Sequence, residues 1–155
     1  MFLDLQVACE SDKGLPIESD FVRWIEAAIP VHHKKQEVMI RIVDVEEMQR
    51  LNLMFCKQDK PTNILSFPFT PPDYIETALL GDLIICRQIV ELEAIKQSKS
   101  LLSHWAHMVI HGMLHLLGYD HHLQHTADQM ESLETRIMFF LGYPDPYVIE
   151  KECIQ

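Results

Sequence analysis

Nothing in these 155 residues approaches the run of ~20 apolar residues that a membrane-spanning helix requires. The first residues, with Asp4 so close to Met1, also lack the basic start and apolar middle of a secretory signal, so a cytoplasmic address is expected. Paired cysteines are missing. Cys9, Cys56, Cys86 and Cys153 lie far apart and form no CxxC, which excludes a cysteine zinc site and a dithiol redox motif and leaves reduced, mostly buried thiols. Positive charge is scarce: 13 lysines and arginines stand against 23 acids, for a formal net charge of −10. That balance excludes a protein that grips nucleic acid by bulk electrostatics, because such binding depends on basic side chains releasing counterions. Any RNA contact has to be local. Eleven of the 13 basic residues precede residue 101, with one cluster at His32, His33, Lys34 and Lys35 and another at Lys57 and Lys60. Internal repeats, low-complexity tracts and long linkers are absent as well, so one core and one domain, 1–155, are expected.

Within that domain, residues 3–10 and 38–45 alternate apolar and polar side chains as half-buried strands do. Between them Phe21, Ile25, Ala28 and Ile29 share one face of a helix that Ser19 would cap and Pro30 would end. Asp44 and Glu47 form a capping box for a helix reaching Cys56. A polar loop over residues 57–63 then leads into a strand over 64–69, which Pro68 marks as an edge, followed by an irregular stretch over 70–77. Residues 79–86 read as a strand covered on both faces, and 87–97 as a helix. From Leu101 to Leu117 the chain is apolar nearly all round, which makes this helix the buried centre. Thr126 and Gln129 suggest a last capping box, before a helix carrying Met130, Leu133, Ile137 and Phe140 and closed by Gly142 and Pro144. The expectation is a single α+β domain with a mixed sheet of about four strands and about five helices.

Seven of the nine histidines fall between His104 and His125. His111 and His115 are four apart, so on a helix they stand one turn above each other and point the same way. Gly118 can stop that helix in a conformation of positive φ and turn the chain back, which brings His121 towards the pair. Three neutral imidazoles with a fourth position open to water is the donor set of a catalytic rather than a structural zinc. His104 and His107 share the helical face of His111, but a ligand set shifted onto them would not use the glycine turn. Asp120 could orient a ligand ring or hold a substrate water, and His122 and His125 are expected as exposed bystanders or as groups that support the ligands. The spacing resembles that of metzincin proteases, yet position 112 is glycine where those enzymes carry their general-base glutamate. A phosphodiester is then the more attractive substrate, since zinc with Lys57 or Lys60 could offset its extra negative charge in the transition state.

The string HGMLHLLGYDHH at residues 111–122 resembles the signature of the bacterial endoribonuclease YbeY family, also called ribosomal RNA maturation factors. KQDKPTNILSFPF at 57–69 is similar to its second block, GDLIIC at 81–86 to its third, and the helix from Met130 to Gly142 to its ending. The resemblance implies an α+β fold, one zinc ion per chain held by His111, His115 and His121, and single-strand-specific endoribonuclease activity. It further implies ribosomal RNA, at the 3′ end of the small-subunit rRNA, as substrate, a part in ribosome quality control, and small-subunit proteins and assembly factors as partners, with no membrane. One departure stands out: Cys56 occupies the place of an arginine found shortly after the pair Leu51 and Asn52. A thiol cannot fork two hydrogen bonds to phosphate, although Lys57 beside it offers a point charge, and Lys57 is the basic residue expected to act with the metal. Ser66, Asp82 and Asp120 also match family positions. Two other functions compete with the nuclease: a ribosome-assembly factor whose zinc is mainly structural, and a metzincin-like metallopeptidase.

Overall fold

The computed structural model describes residues 1–29, 36–72, 77–119 and 124–147. Its elements run β1 (Phe2–Val7), α1 (Glu18–Ala28), β2 (Glu37–Val43), α2 (Val45–Cys56), β3 (Ile64–Pro68), β4 (Leu79–Cys86), α3 (Arg87–Lys96), α4 (Leu101–Leu116) and α5 (Gln124–Phe140). The four strands form one mixed sheet in the order β1-β2-β4-β3, with β1, β2 and β4 parallel and β3 antiparallel to β4. The α+β class, the four strands and the five helices expected from the sequence are all present among the described residues.

Alternation along the strands divides the core in two. Val38, Ile40 and Ile42 of β2 and Leu83 and Ile85 of β4 face α1, α4 and α5 in the larger cluster. On the opposite face Val43, Leu65, Ile84 and Cys86 pack with Met48 of α2 and with Ile89 of α3. β4 is therefore covered on both sides, as its apolar run requires. β3 lies at the sheet edge, where Pro68 costs no ladder hydrogen bond.

α4 lies against the sheet at the centre, with Trp105, Ala106, Val109, Ile110 and Met113 fully buried. Gly112 permits that close approach, because a β-carbon there would stand 2.6 Å from Cδ1 of Ile64 and 2.8 Å from Cδ2 of Leu83. α1 meets α4 through an aromatic edge, Phe21 against Trp105 at 5.9 Å between ring centroids and perpendicular, while Phe21 also packs edge-on against Trp24 of its own helix at 5.4 Å. Each such pair adds roughly 0.5–1.5 kcal/mol beyond its buried area, and the Phe21–Trp105 pair joins the two helices.

Several local expectations need correction. The first strand begins at Phe2 and ends at Val7 instead of reaching residue 10. α1 starts at Glu18, so Ser19 lies inside it; Asp20 reaches back to accept from the Ile17 backbone N–H at 3.2 Å. Asp44 does occupy the N-cap position of α2, but its carboxylate accepts from the Glu10 backbone N–H at 2.8 Å and from Nε2 of Gln88 at 2.6 Å, and not from the helix. Glu47, the other half of the expected capping box, forks onto Arg41 at 2.7 and 3.2 Å. Partners outside the helix out-compete the local cap in both cases. α5 begins two residues before Thr126, which therefore cannot be its N-cap. Cys86 is buried and Cys9 half-buried, but Cys56 is exposed, and all three are free thiols. Residues 148–155, with Cys153, lie outside the described residues, as do the basic cluster at residues 32–35 and part of the irregular stretch.

Candidate metal centre

α4 carries four histidines at positions 104, 107, 111 and 115, an i, i+3, i+7, i+11 column along one side of the helix. The column changes character along its length. His104 and His107 are 1% and 6% exposed, whereas His111 and His115 near the C-terminal end are partly open. Nε2 of His104 meets Oε1 of Glu93 at 3.0 Å, and Glu93 also accepts from Nδ2 of Asn63 at 3.2 Å. Burial would raise the Glu93 carboxyl, but the hydrogen bonds from His104 and Asn63 outweigh it and leave the group below the usual range. Nε2 of His107 meets Oε2 of Glu134 at 2.8 Å. Both buried rings thus spend one nitrogen on a carboxylate, and Nδ1 of each finds no partner among the described residues.

His111 and His115 do something else. Their Nε2 atoms face each other at 3.2 Å, with the rings near perpendicular and 4.7 Å apart. Two nitrogens bound at 2.0–2.1 Å to one tetrahedral ion stand about 3.3 Å apart, so the pair already has the spacing of two ligands. The opposite nitrogen of His111, Nδ1, lies 2.6 Å from Oε1 of Glu134. Glu134 is 0% exposed. Burial alone would push its carboxyl up; hydrogen bonds from His107 and His111, with the charge those rings can carry, hold it down at about 2. An ionised carboxylate only accepts, so Nδ1 of His111 is the donor and a neutral His111 keeps its lone pair on Nε2, facing His115. The Tyr147 hydroxyl donates to the same carboxylate.

The helix ends just beyond the pair. Gly118 takes φ of +99°, its N–H bonds to the His115 carbonyl at 3.0 Å, and the Tyr119 N–H reaches back to the Leu114 carbonyl at 2.9 Å. This double closure is the glycine stop that the sequence suggests. The expected third ligand, His121, and its neighbours Asp120 and His122 lie outside the described residues. Among the described residues no three metal-binding side chains converge; two rings meet, and the donor chemistry and spacing of those two fit a metal ion.

Lys57 lies at the end of another element, α2. It caps the C-terminal end of α2 at φ +60°, exposed, and starts the loop into β3. That loop is tied back by the Asn52 amide, whose Nδ2 donates to the Lys60 carbonyl at 2.8 Å, and by Gln49, which donates to Asp59 at 3.0 Å. No hydrogen bond or ion pair joins Lys57 to His111 or His115 among the described residues. Of the positions that match family blocks, Asp82 sits on β4 opposite Phe67, with its carboxyl raised by burial first and by Asp4 second.

Glu134 is the residue that sequence reasoning missed. It lies on the apolar stripe of α5, between Met130 and Met138, both buried. A charged side chain at such a position is the one signal that could have marked it.

The sheet and its central histidine-bearing helix define an α+β protein with a candidate metal centre where that helix meets α5. The chain belongs to the endoribonuclease YbeY family, whose model matches residues 6–142. RNA is therefore its substrate class and hydrolysis its reaction class. The solution structure of TM1509 from Thermotoga maritima is similar in fold, with a TM-score of 0.55 and 24% identity over 88% of this chain and 91% of that one. No helix among the described residues is long and apolar enough to cross a membrane.

Proposed function

We propose that the protein is a zinc-dependent, single-strand-specific endoribonuclease that acts in ribosomal RNA maturation, at the 3′ end of the small-subunit rRNA, and in ribosome quality control. The supporting observation is the facing pair of imidazole nitrogens, 3.2 Å apart, one of them held in a single tautomer by a buried carboxylate. In this reading the whole chain, 1–155, is one metal-dependent hydrolase domain in the cytoplasm, working beside small-subunit proteins and assembly factors.

His111, His115 and His121 would hold one zinc ion. Bound there, zinc would supply positive charge to a phosphoryl oxygen and lower the pKa of a water towards 7. The chain's own groups divide the remaining work. Glu134 keeps the proton on Nδ1 of His111, so that Nε2 presents a lone pair. Lys57 and Lys60 offer ammonium groups to the phosphates of the strand from a loop that Asn52 and Gln49 hold in place. Metal analysis coupled to cleavage of single-stranded RNA tests the proposal. Cleavage should require zinc and vanish in His111→Ala; a variant as fast as the parent would mean that another nuclease made the cuts.

A second reading, an assembly factor whose zinc is mainly structural, is favoured by the exposed Cys56 at the end of α2, where the family resemblance implies an arginine. A large gain of cleavage in Cys56→Arg would support it. The peptidase reading loses ground at Gly112, since a glutamate there would have to displace Ile64 and Leu83.

A further inference from the structure

Tyr147 lies five residues beyond the span that the family model matches, on the segment that follows α5. Two contacts fasten that segment to the histidine-bearing region. Lys99, just before α4, donates its ammonium to the Pro146 carbonyl, and the Tyr147 hydroxyl donates to Oε2 of Glu134. The Tyr147 ring also packs edge-on against His107, with centroids 5.3 Å apart. Asp145 shapes the turn by accepting from the Tyr147 backbone N–H at 2.8 Å. Glu134 thereby receives three donors within the fold: His107 and Tyr147 at Oε2, and His111 at Oε1.

The division between the two oxygens matters. With Oε2 occupied by two donors, the carboxylate cannot rotate without losing them, so Oε1 stays aimed at Nδ1 of His111. A carboxylate held this way fixes the ring, fixes its tautomer and raises the basicity of the far nitrogen, which together strengthen a metal–imidazole bond.

We infer that Glu134 is the positioning residue of the metal centre and that the C-terminal segment 145–147 is its clamp, so that docking of Tyr147 and affinity for a divalent metal at His111 and His115 are coupled. The inference rests on the proposal that these histidines bind metal. By linkage the coupling is reciprocal: whatever loosens the segment weakens metal binding, and metal binding tightens the segment.

The experiment is zinc affinity, measured by competition with a chromophoric chelator, for the parent, Glu134→Gln and Tyr147→Phe. It is read beside the ring-nitrogen NMR signals of His111 in zinc-free protein. Glu134→Gln should weaken zinc by about 10- to 100-fold, the range for partners that orient a ligand. Tyr147→Phe, which removes one hydroxyl and should fold where the buried substitution fails, should weaken it in the same direction by a smaller factor. In the parent, Nδ1 of His111 should carry the proton and Nε2 should not, a preference that Glu134→Gln erodes and a merely structural role would not move. Folded variants that bind zinc as tightly as a parent that itself binds through His111 overturn this inference alone. A parent that takes up no zinc overturns the metal reading and this inference with it.

Discussion

Gly112 shows how one residue can serve packing and exclude a chemistry together. Its missing β-carbon lets α4 lie on β3 and β4, and both neighbours such a carbon would meet, Ile64 and Leu83, belong to the apolar interior of the sheet. Gly112→Ala gains up to about 1 kcal/mol of helix propensity. It has to force two side chains aside in a packed core, which costs roughly 1–3 kcal/mol. The second effect should win, and thermal unfolding should show a lower melting temperature. An unchanged or higher one would mean that α4 stands further from the sheet. At this scale the sequence was informative wherever the signal was local. His111, His115 and Gly118 follow one another at steps of four and three residues, so their spacing alone announces a shared face and a stop. Glu134 is 23 residues from His111 in sequence and joins it only because α5 packs on α4. No local pattern encodes such a pairing.

The elements followed hydrophobic period more faithfully than capping chemistry. The strand over 79–86 is as expected, and α4 differs by one residue, because burial on all sides leaves a long apolar run with few alternatives. The capping boxes fared worse. Asp44 ties Glu10, three residues beyond β1, to Gln88 of α3, and that tie across the fold took precedence over the helix it precedes. The tie makes a pH prediction. The Gln88 amide first, and the Glu10 backbone N–H second, hold the Asp44 carboxyl below its ordinary value. A lowered pKa in the folded state contributes stability that is fully present above the unfolded value, about 3.9, and is lost as pH falls through the folded one. The stability gap between the parent and Asp44→Asn should therefore be widest near neutral pH and close progressively below about pH 4. Urea titrations at a series of pH values would measure it; a gap that widened in acid would contradict the assignment.

Across the whole molecule, the fold class and family were legible because four blocks occur in order along one chain. The sheet order β1-β2-β4-β3 was not, since nothing in a strand's own pattern names its neighbours. The net charge of −10 is compatible with an RNA substrate only if contacts are concentrated, as they would be at a metal ion and a short lysine loop. That makes the metal the centre of the account. Removing it with a chelator should abolish cleavage while leaving the fold largely intact, because the two clusters of the core are built without it. Circular dichroism beside the cleavage assay would separate these effects, and loss of the fold with the metal would favour the structural-zinc reading. The most direct measurement is zinc content combined with X-ray absorption at the zinc edge. One zinc per chain is expected, surrounded by three imidazole nitrogens and one light atom from solvent, with stoichiometric binding lost in His115→Ala. A shell containing sulfur, a fourth imidazole, or full zinc retention in that variant would contradict it.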